Sequence, residues 1–109
     1  MKYVGEDPHL LEKITGIFLT ECPKHLANIR KAIWDRDPQE IEYAAHALRG
    51  AAANLSARRT VDAAANLEEM GRAGSLSVAE EAYMVLEEEI TNLRRALGEV
   101  QEAHTISDV

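Results

Sequence analysis

From Ala79 to Val100 the apolar residues Ala79, Tyr83, Leu86, Ile90, Leu93, Leu97 and Val100 advance in alternating steps of four and three. That spacing holds one stripe on the same side of an α-helix for about six turns, whereas on a strand it would scatter over both faces. A helix carrying such a seam needs other helices to cover it, and the sequence supplies them. Leu10, Leu11, Ile14, Ile17 and Phe18 form one further stripe, Leu26, Ile29 and Ile33 a second, and Ile41, Ala45, Leu48, Ala52 and Leu55 a third. Val61, Ala64, Leu67 and Met70 or Gly71 complete a fourth. No short Val, Ile, Thr or aromatic run alternates with polar residues as a half-buried strand would. At 109 residues the chain is long enough for one core and too short for two, so residues 1–109 are read as a single domain.

The helix boundaries are marked by caps and breakers. Asp7-Pro8 and Asp37-Pro38-Gln39-Glu40 each place a capping aspartate before a first-turn proline, and Ser77-Val78-Ala79-Glu80 is a third start signal. Cys22-Pro23 is expected to break or kink the first helix, and Gly74-Ser75 to end the fourth. These signals predict helices over about 7–20, 22–36, 38–56, 60–73 and 77–102, an ordered core of about 7–102, and a frayed tail over 104–109, where periodicity is lost. The expected fold is all-α. Short loops make the last four helices an antiparallel four-helix bundle, with an additional N-terminal helix covering one end.

Composition removes several classes of function. Nineteen acidic against twelve basic residues leave a net charge of −7, which repels phosphate backbones and anionic lipid surfaces, so no nucleic acid and no membrane are expected as partners. No apolar run approaches the roughly 20 residues of a membrane span, and the first residues do not resemble a signal peptide, so a cytoplasmic, monomeric protein is expected. The single Cys22 rules out an intramolecular disulfide and any cysteine-based zinc site within one chain. No metal site and no bound cofactor are expected. Glu42 and His46 stand four apart, but di-iron bundles need Glu-x-x-His pairs from two helices, and neither these nor a His-Glu-x-x-His run occurs.

The chemistry concentrates on the third expected helix. On a helical wheel Ile41, Ala45, Leu48, Ala52 and Leu55 share a narrow arc, and His46 lies roughly 150° from its centre, facing outward. One turn on is Gly50, which costs a helix interior about 1 kcal/mol relative to alanine in a segment that otherwise uses alanine freely. The glycine leaves room beside His46. A neutral imidazole offers a nucleophilic nitrogen, and Arg49, three residues on, can stabilise the charge spread over the oxygens of a phosphoryl group in transfer. On spacing alone, a solvated surface histidine with an incidental arginine and glycine remains an equal alternative. No nucleotide-binding loop accompanies the histidine, so the chain has no means of using ATP.

Ala45-His46-Ala47-Leu48-Arg49-Gly50-Ala51-Ala52-Ala53-Asn54-Leu55-Ser56-Ala57 resembles the signature of the histidine-containing phosphotransfer (HPt) domains of bacterial phosphorelays, His-x-Leu-Lys-Gly followed by small residues and an Asn-Leu-Gly-like end. The resemblance runs from about Leu10 to Leu97 and includes Phe18-Leu19, Glu21-Cys22-Pro23, Asp35-Arg36-Asp37 and Leu67-Glu68-Glu69. It implies that His46 is the phosphoacceptor, taking a phosphoryl group from an aspartate on a receiver domain and passing it to another receiver. The implied partners are receiver domains of response regulators or hybrid histidine kinases, with magnesium carried by the receiver and not by this chain. Arg49 stands where lysine is commonest and keeps the charge; Gly50 gives the donor clearance. Ser56 stands where glycine is commonest, and its expected role is in packing or at the helix end rather than in chemistry.

Other residues carry weaker signals. His9, His25 and His104 have no partner at a useful spacing and read as surface histidines. Glu42, one turn before His46, could fix the ring's tautomer or be merely solvated. Trp34 and Tyr43 could rim a docking surface or pack inward, and Arg58-Arg59 could face the dipole of the preceding helix or an acidic partner. Two alternatives use the same helices differently: a non-catalytic adaptor docking through the small-residue face, and the dimerisation and phosphoacceptor domain of a sensor kinase. The latter's His-Glu-x-x-Thr-Pro surroundings are absent, and phosphate uptake at His46 would decide against the former.

Overall fold

The computed structural model describes residues 8–107. They form four helices, α1 (Pro8–Trp34), α2 (Pro38–Ala53), α3 (Arg58–Ala73) and α4 (Ala79–Ser107), with no strand among the described residues. Each helix packs on its neighbours in sequence and α1 packs on α4, so the four close into an up-and-down bundle with α2 and α4 on opposite corners. The all-α four-helix expectation holds.

The expected break at Cys22-Pro23 does not occur, so there is no separate N-terminal helix. Pro23 lies inside α1, and the first two expected helices are one. The reason is the continuity of the buried face. Thr15, Phe18, Cys22, Ile29 and Ala32 are buried and Leu26 and Ile33 partly so, at helical spacing straight through the proline. Pro23 itself is exposed, so its ring and the carbonyl it leaves without an N–H partner lie on the solvent side. Burial on both sides of the proline outweighs a penalty of about 3 kcal/mol.

The N-terminal stripe is also revised. Phe18 is buried, but Leu10 and Ile17 are exposed. The helical wheel explains why: Leu10 and Ile17 fall roughly 110–130° from the centre of the arc that Thr15, Phe18, Cys22 and Ile29 bury, so they lie on another face of α1. At the other terminus α4 stays helical through Ser107, where a frayed tail from His104 is expected; Gln101-Glu102-Ala103-His104 contains no breaker to stop it. The expected cap at Asp7 and the end of the expected tail, Asp108-Val109, lie outside the described residues.

The three remaining stripes complete the core that Phe18, Cys22 and Ile29 of α1 begin. Ile41, Ala45, Leu48 and Ala52 of α2, Ala64 and Leu67 of α3, and Leu86 and Ile90 of α4 are essentially inaccessible to solvent. The closest approach is between α2 and α3. A Cβ on Gly71 would stand 2.5 Å from the Glu42 backbone nitrogen and 2.6 Å from the Pro38 carbonyl oxygen, so only glycine lets α3 lie against the first turns of α2.

All three connections open with the same device. At Arg36, Ser56 and Gly74 the backbone is left-handed, with φ of 53°, 56° and 70°. In each case that residue's N–H and the next one's close back onto the helix: Arg36 on Ile33 and Asp37 on Ala32, Ser56 on Ala53 and Ala57 on Ala52, Gly74 on Gly71 and Ser75 on Met70. This is the Schellman turn, which satisfies carbonyls that a helix end leaves open. Asp37 then caps α2, accepting from Glu40 N–H at 3.2 Å, with Pro38 in the first turn as expected. Ser56 thus does work at the helix end, as expected, and its conformation explains why glycine suits that position.

Two outcomes are expected in thermal or urea unfolding. Ser56→Gly relieves a left-handed cost of about 1–2 kcal/mol against about 0.5–1 kcal/mol of extra unfolded-chain entropy, and raises the midpoint by a few degrees. Gly71→Ala pushes backbone against backbone and lowers stability by about 1–3 kcal/mol or more. A neutral Gly71→Ala would contradict the close approach.

Candidate functional site

His46 faces outward because its neighbours on the helical wheel face in. Ala45 and Leu48 are buried, while 63 % of the His46 side chain is exposed. Gly50 is exposed too, and a Cβ placed on it meets nothing within 4 Å. Within this chain the glycine is therefore not required by packing, so the space beside His46 opens only onto solvent or an incoming molecule.

The sequence does not anticipate what lies behind the ring. Glu68 of α3 is buried, at 5 % exposure, and its Oε2 is 2.8 Å from His46 Nδ1. Arg49 Nε is 2.8 Å from Glu68 Oε1, and Arg49 Nη2 is 3.0 Å from His46 Nδ1. Arg72 Nη2 reaches Glu68 Oε2 at 3.3 Å. A ring nitrogen holds a proton or a lone pair, not both, so only one of the two contacts at Nδ1 is a hydrogen bond. Glu68 already accepts from two guanidiniums, so the 2.8 Å contact at Nδ1 is satisfied by a ring proton there, donated to Glu68. Arg49 is held by its own bond to Oε1. The lone pair is left on Nε2, the nitrogen turned away from Glu68.

Glu68 is legible in principle. It follows Ala64 by four residues and precedes Gly71 by three, on the buried stripe of α3, where a charge demands partners on the facing helix. Its placement depends on Gly71, which seats α3 against α2 one turn further along. Glu42 does not touch His46. It pairs instead with Arg72 Nε at 3.3 Å, while Arg72 Nη1 holds Glu69 at 2.6 Å. The hydrogen bond to Glu42, followed by the charge of Glu69, raises the Arg72 pKa above the usual guanidinium value. Among the described residues no buried side-chain polar atom lacks a partner, and no three His, Cys, Asp or Glu side chains cluster as metal ligands.

The remaining candidates separate cleanly. Tyr43, one turn before His46, and Trp34 at the end of α1 project into solvent at 73 % and 86 % exposure, so neither packs inward. Arg58 and Arg59 are the first two residues of α3 and are exposed. His25 is half-buried on α1, far along the chain from this cluster. The side chains of His9 and His104 lie outside the described residues. Surface depressions are lined by Leu19, Thr91, Arg94, Arg95 and Gly98, and by Glu81, Met84, Val85 and Glu88. Both involve α4, at the opposite corner from α2. Neither is lined by His46, Arg49 or Gly50.

The ring geometry gives a direct expectation. In ¹⁵N spectra His46 is in the Nδ1–H tautomer, and Glu68→Leu converts it to a mixture with the Nε2–H form. An unchanged tautomer in Glu68→Leu would show that Glu68 does not hold the ring.

Among known protein families, the model described as the Hpt domain fits residues 13–96, a span that contains α2 and α3 entire and with them His46, Arg49, Gly50 and Glu68. Neither a comparison with curated proteins nor one with solved structures gives a match. Since the matched span takes in most of the sequence and all of the helical hairpin that builds the site, the chain belongs to the Hpt domain family.

Proposed function

We propose that this protein is a phosphorelay intermediate in which His46 accepts a phosphoryl group at Nε2 from the aspartyl phosphate of a receiver domain and passes it to a second receiver. Membership of the Hpt family supplies the class of reaction, histidine phosphotransfer with receiver domains. The observation that carries the assignment to this residue is the bond from His46 Nδ1–H to buried Glu68, which leaves an exposed lone pair on Nε2.

The step balances on these groups. The Nε2 lone pair forms an N–P bond as the acyl O–P bond of the donor breaks, and the electron pair leaves with the aspartate carboxylate. The ring keeps its Nδ1 proton and becomes a phosphorylated imidazolium, whose positive charge develops against the Glu68 carboxylate. Glu68 thus stabilises the product and orients the ring without taking a proton. Return transfer to a second receiver reverses the sequence. Magnesium and the carboxylates that hold it belong to the receiver, which also provides the cleft.

Gly50 gives the receiver access along the outer face of α2, and exposed Tyr43 offers it an aromatic contact one turn away. No helix among the described residues is long and apolar enough to cross a membrane.

Incubation with a panel of phosphorylated receivers tests the reading. His46→Gln should take up no acid-labile label while remaining folded, because the glutamine amide can still donate to Glu68. ATP and magnesium alone should label neither protein. Gly50→Ala should stabilise α2 by up to about 1 kcal/mol and slow transfer, with Gly50→Gln slower still. Arg49→Ala should weaken transfer by about 1.5–3 kcal/mol, the scale of one charge-assisted hydrogen bond. Undiminished labelling of His46→Gln, or labelling by ATP alone, would contradict the assignment.

A further inference from the structure

The arginine next to the phosphoacceptor is not free in this structure. Arg49 Nε is bound to Glu68 Oε1 at 2.8 Å, and its Nη2 lies 3.0 Å from Nδ1, the side of the ring away from Nε2. To meet phosphoryl oxygens gathered at Nε2, the guanidinium must turn about the ring from its place beside Nδ1, which strains or breaks its Nε–H bond to Glu68. At that moment His46 is still neutral, and a carboxylate at 5 % exposure would lose a cation before the imidazolium has formed. A buried carboxylate without a counter-ion takes up a proton or drives its segment toward solvent, and either would weaken the grip on Nδ1–H.

One cation remains. Arg72 Nη2 stands 3.3 Å from Glu68 Oε2, the same oxygen that accepts from His46. Its guanidinium is fixed from two helices, by Glu42 of α2 at 3.3 Å and Glu69 of α3 at 2.6 Å, and none of these contacts involves the outer face of His46 where a receiver would dock. A guanidinium has donors enough to serve three carboxylates at once, so Arg72 need not leave any of them when Arg49 moves.

We propose that Arg72 is a positioning residue, the standing counter-ion that keeps Glu68 ionised and bonded to His46 Nδ1–H while Arg49 moves from Glu68 to the phosphoryl group. The proposal rests on the phosphorelay reading for its second half, the destination of Arg49. Its first half, that Arg72 alone suffices to hold Glu68, concerns the unphosphorylated protein and stands apart from that reading. Arg49 and Arg72 thereby have different tasks on one carboxylate: the first is lent to it, the second stays.

Arg49→Ala reproduces the state in which Arg49 has left. In ¹⁵N spectra of this variant His46 should remain in the Nδ1–H tautomer. In Arg49→Ala/Arg72→Ala the Nε2–H form should appear, and the fall in melting temperature should exceed the sum of the two single variants, as expected when two groups share one partner. Arg49→Ala/Arg72→Lys should recover the tautomer at least in part. In transfer from a phosphorylated receiver, Arg72→Ala alone should lower kcat about ten-fold with little change in KM, because the loss falls on the transferring state and not on docking. An unchanged Nδ1–H tautomer in the double alanine variant, or strictly additive melting temperatures, would overturn the role of Arg72. Absence of any label on the parent protein would overturn the phosphorelay reading, and with it the destination given to Arg49, while the tautomer measurements still decide whether Arg72 holds Glu68.

Discussion

The close approach of α3 to α2 at Gly71 is the constraint on which the site depends. With a Cβ excluded by the Glu42 and Pro38 backbones, α3 can lie directly on the first turns of α2. That contact sets the register in which Glu68, one turn before Gly71, meets His46, and in which Arg72, the next residue, meets Glu42. The alanines along the same seam, Ala45, Ala52 and Ala64, are fully buried and keep the two axes close over the length of the hairpin. A missing side chain in the interface thus decides which charged side chains come together at its edge.

What results is a division of labour across the hairpin. Helix α2 presents the reactive ring and clears the space in front of it; α3 supplies the carboxylate and the second cation behind it. Glu68 is the link. It is buried enough to be costly without partners and paired on both oxygens, so it determines the orientation of the ring more firmly than any exposed contact could. In the proposed relay the domain offers a positioned nucleophile and leaves the metal and the donor to its partner.

The fold and the front of the site are legible in the sequence, and the back is not. Stripes with helical period specify the bundle and its core on α2, α3 and α4, and the outward turn of His46 follows from Ala45 and Leu48 turning inward. Two departures arise where packing overrides a local rule. Pro23 reads as a breaker, but Phe18, Cys22 and Ile29 continue one buried face across it; Leu10 and Ile17 read as core, but they lie off the face that those residues bury. Glu68 escapes notice because a charged residue at a stripe position looks like the stripe's edge. Besides Arg72 on its own helix, its partners lie 22 and 19 residues away on another helix, a relation no local spacing expresses. The Ser56 turn is the reverse case, where a departure from the family's usual glycine marks a real backbone demand that serine meets at a cost.

The central claim is that Glu68 fixes which nitrogen of His46 reacts. Phosphorylation of ¹⁵N-histidine-labelled protein with phosphoramidate, followed by ³¹P and ¹⁵N spectroscopy, tests it most directly. The account predicts a single phosphohistidine, at His46, with phosphorus coupled to Nε2 and the proton retained on Nδ1. Phosphorus on Nδ1, or label distributed over His9, His25 and His104, would contradict it.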